Sequence, residues 1–495
     1  SETPMAVGVT AVQPCPLPIY VLRALPAAAP EHGEPFAAVL DDVRRVIMPG
    51  LTHWQHPSFF AYFPANTSGP AVIGDLLSSG LGVQGMLWAT SPACTELETR
   101  VTDWMARAMG LPEVFLAEPQ APAGRAPTPG PSGRPARGGG VIQGTASEST
   151  LVALLAAVHR LRRADARAVP TVYCSHQAHS SVVKAAMVAG LTDPPGARDR
   201  DGGVRVRQVQ TNADWSIDAD ALDTQIRADL ASGLQPAMVC ATLGTTGVMA
   251  FDDLRTVGAA IDSSGTPHPV WLHADAAMAG AAFVCPEHRG PLAGAGRLDS
   301  LCFNPHKWLL TTFDCGLLWV RDRGALADAL SVTPEYLRNA ASDAGEVTDY
   351  RDWQVPLGRR FRALKLWLVV RHYGLAGLRA HVRHHLSLAA WLEDQVRSGE
   401  RFRLAAPRHP GSPLVCFRLR GEEGTPRAAE ELNRRGAALL EAVNASGRAF
   451  LSHTTLPDPR PGFPPAYAVR AAIGGTFTRR EHVEALWELL SAHAA

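Results

Sequence analysis

The chain has 495 residues, 46% apolar and 19% charged, and its 47 Lys and Arg residues balance 47 Asp and Glu residues. This length is too great for one hydrophobic core and predicts two or three domains. The balanced charge lacks the basic footprint of a nucleic-acid-binding protein, so we expect the partner to be a small molecule or a second copy of the chain.

The eight cysteines are scattered, without a CxxC pair or the spacing of zinc ligands. They predict buried free thiols in a reducing compartment, and they give no indication of a metal site. Ser1 to Pro30 lacks the basic and apolar regions of a signal peptide, and no apolar stretch reaches the length of a membrane span. We therefore expect a cytoplasmic protein without a membrane partner.

The first elements of the chain are predicted to be helical. Phe36 to Met48 has helical apolar spacing and stops at Pro49-Gly50, and 94–109 is an amphipathic pattern that stops at Gly110. Residues 118–140 are mostly Pro, Gly, Ala and Arg, a composition that buries too little apolar surface to offset its ordering entropy. We predict a flexible surface insertion there, with a docking arm as the alternative.

Short apolar runs alternate with helical patterns after the insertion. Helices are predicted over 149–163 and 180–189, and strands over 171–174, 237–242, 270–273, 300–303 and 316–320. Strands separated by helices indicate βαβ units, and therefore an α/β fold with a mainly parallel sheet. A long helix beyond Arg362, a strand over 414–419 and a final helix predict a smaller C-terminal α+β domain.

Two residues stand out near predicted strand ends. Lys307 precedes the apolar run Trp308-Leu309-Leu310, and desolvation there would favour the neutral amine that forms a Schiff base. A lysine that extends to solvent is the alternative. Asp275 follows a buried strand, where a carboxylate needs a partner such as a cationic heterocycle or the N-terminus of the next helix.

Two further segments carry possible ligand contacts. The segment GGGVIQGTASEST (138–150) leads into a helix, and small and hydroxyl residues at a helix N-terminus favour an anion such as phosphate. An ordinary helix cap is the alternative. His176 and His179 follow a short strand. A histidine there is either a surface cap or a ring that stacks on a flat group, and we interpret His176 as structural.

The order of these motifs closely resembles that of the group II pyridoxal-5′-phosphate (PLP) decarboxylases, and most of all the aromatic-L-amino-acid decarboxylases. The Gly-rich segment is followed by HQAHSS, ATLGTTG, HADAA and NPHKW, and HPSFFAYFP (56–64), SPACTELE (91–98) and TDYRDWQVPLGRRFRALKLW (348–367) also match. The resemblance runs from about Leu40 to the C-terminus, apart from the insertion. It implies the aspartate-aminotransferase-like (type I) PLP fold with a mainly parallel seven-stranded sheet, in a homodimer with sites at the interface. We expect a dimer-packing N-terminal segment (1–75), a large PLP-binding domain (76–375) and a small C-terminal domain (376–495).

The resemblance also implies roles for individual residues. Lys307 would carry PLP as an aldimine and Asp275 would pair with the pyridine nitrogen. His179 would stack on the ring, and Tyr336 would return a proton to the substrate carbanion. The further cofactor contacts implied are Ala146, Ser147, Thr246, Ala277, Ser300, Asn304 and His306. The substrate contacts implied are Trp54, Tyr62, Phe63, Pro64, Gln84, Met86, His179 and Gly358.

The implied reaction is decarboxylation of an aromatic L-amino acid of the Trp, DOPA, Phe and Tyr class to the primary amine and CO₂. Relatives that form aldehydes replace the loop tyrosine with Phe or the stacking histidine with Asn, whereas this chain retains Tyr336 and His179. Gln84 and Met86 depart from the apolar and aromatic residues usual in the family, which leaves the preferred side chain open. The alternatives are an aromatic aldehyde synthase, a decarboxylase of a non-aromatic amino acid, and a catalytically silent binding protein.

Overall fold

The computed structural model describes Val12 and residues 25–118, 138–192, 205–332, 334, 337 and 347–494. Most of the predicted insertion and Tyr336 lie outside the described residues. The described residues form two compact units. The first comprises Asn66–Leu386 and Ala406–Ser412, and the second lies within Ser1–Ala65, Ser387–Ala405 and Pro413–Ala495. The division at 75 and 375 stays a prediction.

The α-helices occur at most of the positions that the apolar periodicity predicts. Their bounds are α1 (Phe36–Asp42), α2 (Gly69–Leu81), α3 (Pro92–Met109), α4 (Ala146–Ala164), α5 (Ser181–Val188), α6 (Ala219–Ala231), α7 (Leu254–Ser263), α8 (Pro305–Trp308), α9 (Arg323–Leu330), α10 (Arg362–Ser398), α11 (Pro426–Ala445) and α12 (Arg480–His493). Helix α1 continues as a π-helical segment, Val43–Ile47, and a 3₁₀ turn, Met48–Gly50. The predicted helix over 36–48 is therefore present with altered geometry in its second half.

The first unit contains a seven-stranded sheet. Its strands are β1 (Gly139–Gln143), β2 (Pro170–Ser175), β3 (Val206–Val209), β4 (Gln235–Thr242), β5 (Trp271–Asp275), β6 (Ser300–Phe303) and β7 (Gly316–Val320). Their spatial order is β1-β7-β6-β5-β4-β2-β3. Strand β2 pairs in parallel with β3 and β4, and β4–β5 and β5–β6 are also parallel. Strand β7 runs antiparallel to both β1 and β6, so the predicted α/β fold with a mainly parallel sheet is confirmed.

The burial of each strand explains whether its apolar pattern is recognisable in the sequence. Strand β4 is buried from its second residue onward and reads as a continuous apolar run, as strands covered on both faces do. Strand β3 reads VRQV, with only its two valines buried, and it was not predicted. Strand β1 was not predicted either, because its first residues are glycines that continue the composition of the preceding insertion.

The second unit contains an antiparallel sheet of four strands. The strands are β8 (Phe402–Leu404), β9 (Leu414–Leu419), β10 (Ser452–Leu456) and β11 (Ala466–Ala472), in the order β10-β11-β9-β8. Apolar residues of α11 and α12 share a buried core with this sheet, which agrees with the predicted C-terminal α+β composition. In the part of the chain that the structure describes, no helix is both long and apolar enough to cross a bilayer.

Candidate active site

The candidate site lies where the parallel strands of the first unit end. Thr242 of β4, Asp275 of β5 and Cys302 of β6 are neighbours in register, so the loops that follow these strands emerge side by side. Hydrogen bonds join the loops: Leu243 N–H donates to the Asp275 carbonyl at 2.8 Å, and Asn304 N–H donates to the Ala277 carbonyl at 3.0 Å. Ligand sites of open α/β sheets occur at this carboxyl edge.

Asp275 is a buried carboxylate, with 5% of its surface exposed. Its Oδ1 accepts a hydrogen bond from Ala277 N–H at 2.9 Å. Among the described residues, no Lys, Arg or His forms a salt bridge with it. A buried carboxylate without an ionic partner is costly, so this position suits a cationic ligand group.

Lys307 is one of only three lysines in the chain. Lys184 is exposed, and Lys365 is buried in an ion pair with Asp75 at 3.2 Å. Lys307 lies half-buried in the short helix α8, where its N–H donates to the Asn304 carbonyl at 3.0 Å. Because the following residues from Trp308 to Leu310 are buried, Lys307 is held beside the carboxyl edge with little freedom of the backbone.

His179 is half-buried, and its Nδ1 accepts a hydrogen bond from Ser181 N–H at 3.1 Å. Burial lowers the pKa of His179, with the positive charge of Lys307 acting in the same direction and the negative charge of Asp275 opposing it. The three residues are therefore within electrostatic range of one another. The imidazole is favoured in its neutral form, which suits stacking on a flat ring.

An anion cradle forms where α4 begins. Asn304 accepts a hydrogen bond at Oδ1 from Ala146 N–H at 2.9 Å, which ties the β6 loop to the first turn of α4. Ser147 is exposed in that turn, where backbone N–H groups and the helix dipole favour an anion. A Cβ at Gly316 would lie 2.9 Å from Asn304 Oδ1 and 3.0 Å from the Thr145 backbone. Glycine is therefore required for this close approach.

The remaining predicted cofactor contacts occupy different positions. Thr246 lies in the loop after β4, which turns at Gly244 with φ +99°. His306 is buried, and its Nδ1 already accepts a hydrogen bond from Cys315 N–H at 2.9 Å. Burial, with the neighbouring Lys307 charge, lowers the pKa of His306 to about 4.

Ser300 is not brought together with the other predicted phosphate contacts. It begins β6, four residues before Asn304, and is therefore about 13 Å away along the strand. Its hydroxyl is engaged by Trp271 Nε1 at 2.7 Å and His273 Nδ1 at 2.8 Å. Ser300 therefore stabilises the buried start of β6, and the expectation that it binds the phosphate is not supported by its position.

The predicted substrate contacts fall into two groups. In the first unit, Gln84 and Gly358 are adjacent: Gln84 Oε1 accepts from Arg359 N–H at 2.6 Å, and a Cβ at Gly358 would lie 3.2 Å from Gln84 Nε2. Met86 is half-buried in the same segment as Gln84.

The other group lies in the second unit. Trp54 and Tyr62 stack with ring centroids 5.7 Å apart, Arg470 lies over the Phe63 ring at 5.3 Å, and Pro64 is buried. This segment is aromatic-rich, as its sequence indicates.

Three contacts around the site had no counterpart in the sequence reasoning. Cys302 places its Sγ 3.7 Å from Asp275 Oδ1, and Trp308 Nε1 donates to His385 Nδ1 at 2.8 Å. Glu98 and Arg359 form a buried ion pair at 2.5 Å. Each joins residues far apart in the chain or on neighbouring strands, so only strand order and register reveal them.

The fold and this edge define a PLP-dependent enzyme, and comparison with known proteins identifies its family. Residues 18–420 match the pyridoxal-dependent decarboxylase conserved domain, and the chain belongs to this family of carboxy-lyases. It is 42% identical to phenylacetaldehyde synthase of Arabidopsis thaliana, over 97% of this chain and 90% of that protein. It is also 42% identical, with the same coverage, to aromatic-L-amino-acid decarboxylase of Bos taurus. The crystal structure of Oryza sativa TDC with PLP and tryptamine superimposes with a TM-score of 0.86 at 38% identity, covering 98% of this chain and 93% of that one.

The cofactor of the family is PLP, and the residues at the carboxyl edge fit it. Asp275 offers a buried carboxylate that would suit a protonated pyridine nitrogen. The N-terminus of α4, tied to Asn304, has N–H groups that would suit a phosphate. Lys307 would provide the amine, and His179 a flat ring.

Proposed function

We propose that this enzyme decarboxylates an aromatic L-amino acid to the primary amine and CO₂. The observation that carries the proposal is that Asp275, Lys307 and His179 share one carboxyl edge beside the N-terminus of α4. The relatives named for aromatic substrates support the choice of substrate class.

The chain's residues would hold the cofactor at three places. Lys307 would bind it covalently through the side-chain amine, Asp275 would keep a proton on the pyridine nitrogen, and the first turn of α4 with Asn304 would bind the phosphate. When bound, PLP supplies an electron sink for the electron pair released as CO₂ leaves. Ala277 contributes by fixing the Asp275 carboxylate through its N–H.

His179 and Tyr336 would direct the reaction. The lowered pKa of His179 favours its neutral ring, which would stack on the cofactor and help to orient the substrate carboxylate. Tyr336 would deliver the proton to the substrate Cα. Proton delivery at that atom gives an amine, and this step distinguishes simple decarboxylation from oxidative release of an aldehyde.

Within the first unit, Gln84, Met86 and Gly358 would line part of the substrate pocket. Gly358 leaves room next to Gln84, which a side chain at that position would narrow. Met86 would add an adaptable apolar surface. Trp54, Tyr62 and Phe63, in the second unit, stay predicted substrate contacts. These features support the Trp, DOPA, Phe and Tyr class of substrates.

A second candidate is an aromatic aldehyde synthase, because the Arabidopsis thaliana relative with that name is 42% identical. Retention of both His179 and Tyr336 favours the amine-forming reaction. The two reactions differ in stoichiometry, since aldehyde formation from the amino acid consumes O₂ and releases H₂O₂ and ammonia.

A panel of L-amino acids, assayed for CO₂, amine and H₂O₂ together, tests the proposal. We expect equal amounts of CO₂ and amine from at least one aromatic substrate, without H₂O₂. Stoichiometric H₂O₂ and aldehyde would establish the second candidate, turnover of non-aromatic substrates alone would refute the substrate class, and no turnover would indicate a binding protein. Borohydride reduction and peptide mapping should label Lys307. Lys307→Ala should lose the visible cofactor band and turnover, whereas the exposed control Lys184→Ala should keep both.

We further propose that the enzyme is a homodimer that functions in the cytoplasm, with sites completed at the interface. Helix α2 presents an exposed apolar face formed by Val72, Ile73, Leu76, Leu77 and Leu81. A contiguous apolar face of this kind is typical of a surface that another protein covers. The seven described cysteines are free thiols, in keeping with a reducing compartment. Light scattering should give twice the chain mass, Leu76→Glu should give monomers, and the control Val188→Glu, on α5, should not.

A further inference from the structure

The carboxylate of Asp275 has a second neighbour besides Ala277. Cys302 is completely buried, and its Sγ lies 3.7 Å from Asp275 Oδ1, within hydrogen-bond distance for a thiol donor. The same Oδ1 accepts the Ala277 N–H at 2.9 Å. Both contacts are to one oxygen of the carboxylate, so the two oxygens have different surroundings.

Strand register explains why this thiol faces Asp275. Cys302 of β6 is the direct neighbour of Asp275 of β5, and neighbouring residues in register point to the same face of a sheet. Cys240 is a second buried thiol on that face, but it is the register neighbour of His273, which lies two residues before Asp275 in β5. Cys240 and Cys302 are thus buried thiols in similar settings, and of these two Cys302 has the hydrogen bond to the carboxylate.

We propose that Cys302 is a positioning residue for the cofactor: its S–H donates to Asp275 Oδ1 and, with Ala277 N–H, leaves Oδ2 as the oxygen that bonds the pyridine nitrogen. This inference rests on the proposed role of Asp275 in holding PLP. Two donors on Oδ1 fix the rotation of the carboxylate. Oδ2 would then face the ring nitrogen, where its negative charge favours a protonated ring.

The thiol is suited to this role because it stays protonated. Burial, followed by the nearby Asp275 charge, raises the pKa of Cys302 well above its usual range. It therefore remains a neutral donor across the pH range in which such an enzyme works. A thiol is a weak donor, so the effect of its loss should be graded rather than complete.

Ring-nitrogen protonation in the holoenzyme, measured by NMR with ¹⁵N-labelled PLP, tests the proposal directly. Cys302→Ala removes the donor and should lower the protonated fraction, moving its pH midpoint down by about half a unit and weakening PLP binding about threefold. Cys302→Asn offers an N–H donor in a side chain of similar size and should restore both. Cys240→Ala removes a buried thiol from the same face and should match the wild type.

The outcomes separate this inference from the proposed function. If Cys302→Ala leaves the ¹⁵N titration unchanged, or changes it only as much as Cys240→Ala does, Cys302 is a packing residue and the inference is refuted. If the wild-type enzyme binds PLP with an unprotonated ring nitrogen, the role of Asp275 itself is refuted. If Cys302→Ala does not fold, Cys302→Val, which also lacks a donor and keeps the site filled, takes its place: a ¹⁵N titration equal to that of the wild type refutes the inference.

Discussion

The buried ion pair between Glu98 and Arg359 gives a direct test of how the first unit is held together. Each side chain is 1% exposed, and Glu98 Oε1 also accepts the Ile142 N–H of β1 at 2.8 Å. Replacement by Gln keeps the shape of Glu98 but leaves the Arg359 charge buried without compensation. Loss of one partner of a buried pair costs about 3–5 kcal/mol, so we expect Glu98→Gln to lower the free energy of unfolding by that amount.

Urea denaturation at a fixed saturating PLP concentration measures this change. Glu96→Gln, an exposed site on the same helix α3, should change stability by less than about 0.5 kcal/mol. The double variant Glu98→Gln/Arg359→Met removes both charges and should be more stable, by about 2 kcal/mol, than the two single changes added together. A Glu98→Gln variant as stable as the Glu96→Gln control, or a double variant that is strictly additive, would refute the reasoning.

Three other changes test separate parts of the molecule. Burial lowers the pKa of His381 from 6.5 to about 4. The neutral imidazole therefore contributes up to about 3 kcal/mol to the free energy of unfolding above pH 6.5, and this contribution is lost as the pH falls through 4. His381→Phe should make the free energy of unfolding less dependent on pH in that acid range, and an unchanged pH dependence would contradict this. His385→Leu should lower the free energy of unfolding by about 1–3 kcal/mol, because the buried Trp308 Nε1–H loses its acceptor, and urea denaturation with no loss would show that the bond is dispensable. Gly316→Ala should weaken PLP binding about tenfold in titrations of the apoenzyme, because its Cβ would lie 2.9 Å from Asn304 Oδ1; unchanged affinity would place the cradle elsewhere.

The parts of the fold that sequence reasoning predicted share one property. Strands β4, β6 and β7 are buried almost throughout. Because strands buried on both faces have continuous apolar runs, they are recognisable in the sequence. Strand β3 and helix α6 lack that signal. Helix α6 buries only three residues, is capped at its N-terminus by Asp218, and has many charged side chains. Elements that bury one narrow stripe gain their stability from the tertiary structure and are harder to recognise in a single chain.

The site follows a different rule, because its residues were recognised by the order of motifs rather than by their surroundings. Lys307 alone is ambiguous in the sequence. In the structure, by contrast, Lys184 is exposed to solvent and Lys365 forms an ion pair with Asp75. Ser300 shows the converse: the resemblance placed a hydroxyl in the phosphate set, and only the direction of β6 moves it to the opposite end of the strand. Motif order identifies which residues belong to a site, and strand register decides which of them reach it.

The protonation state of His179 at the carboxyl edge depends on the charges of Asp275 and Lys307. Asp275 raises the pKa of His179, but burial and the Lys307 charge lower it more, so the net direction is downward. A protonated His179 would compete for the Asp275 carboxylate, whereas the neutral ring leaves that charge available for the pyridine nitrogen. Oδ1 is already held by Ala277 N–H and Cys302, so the remaining oxygen can pair with a single cation. The burial that makes an isolated carboxylate costly is therefore also what would favour pairing of Asp275 with the protonated cofactor under the proposed function.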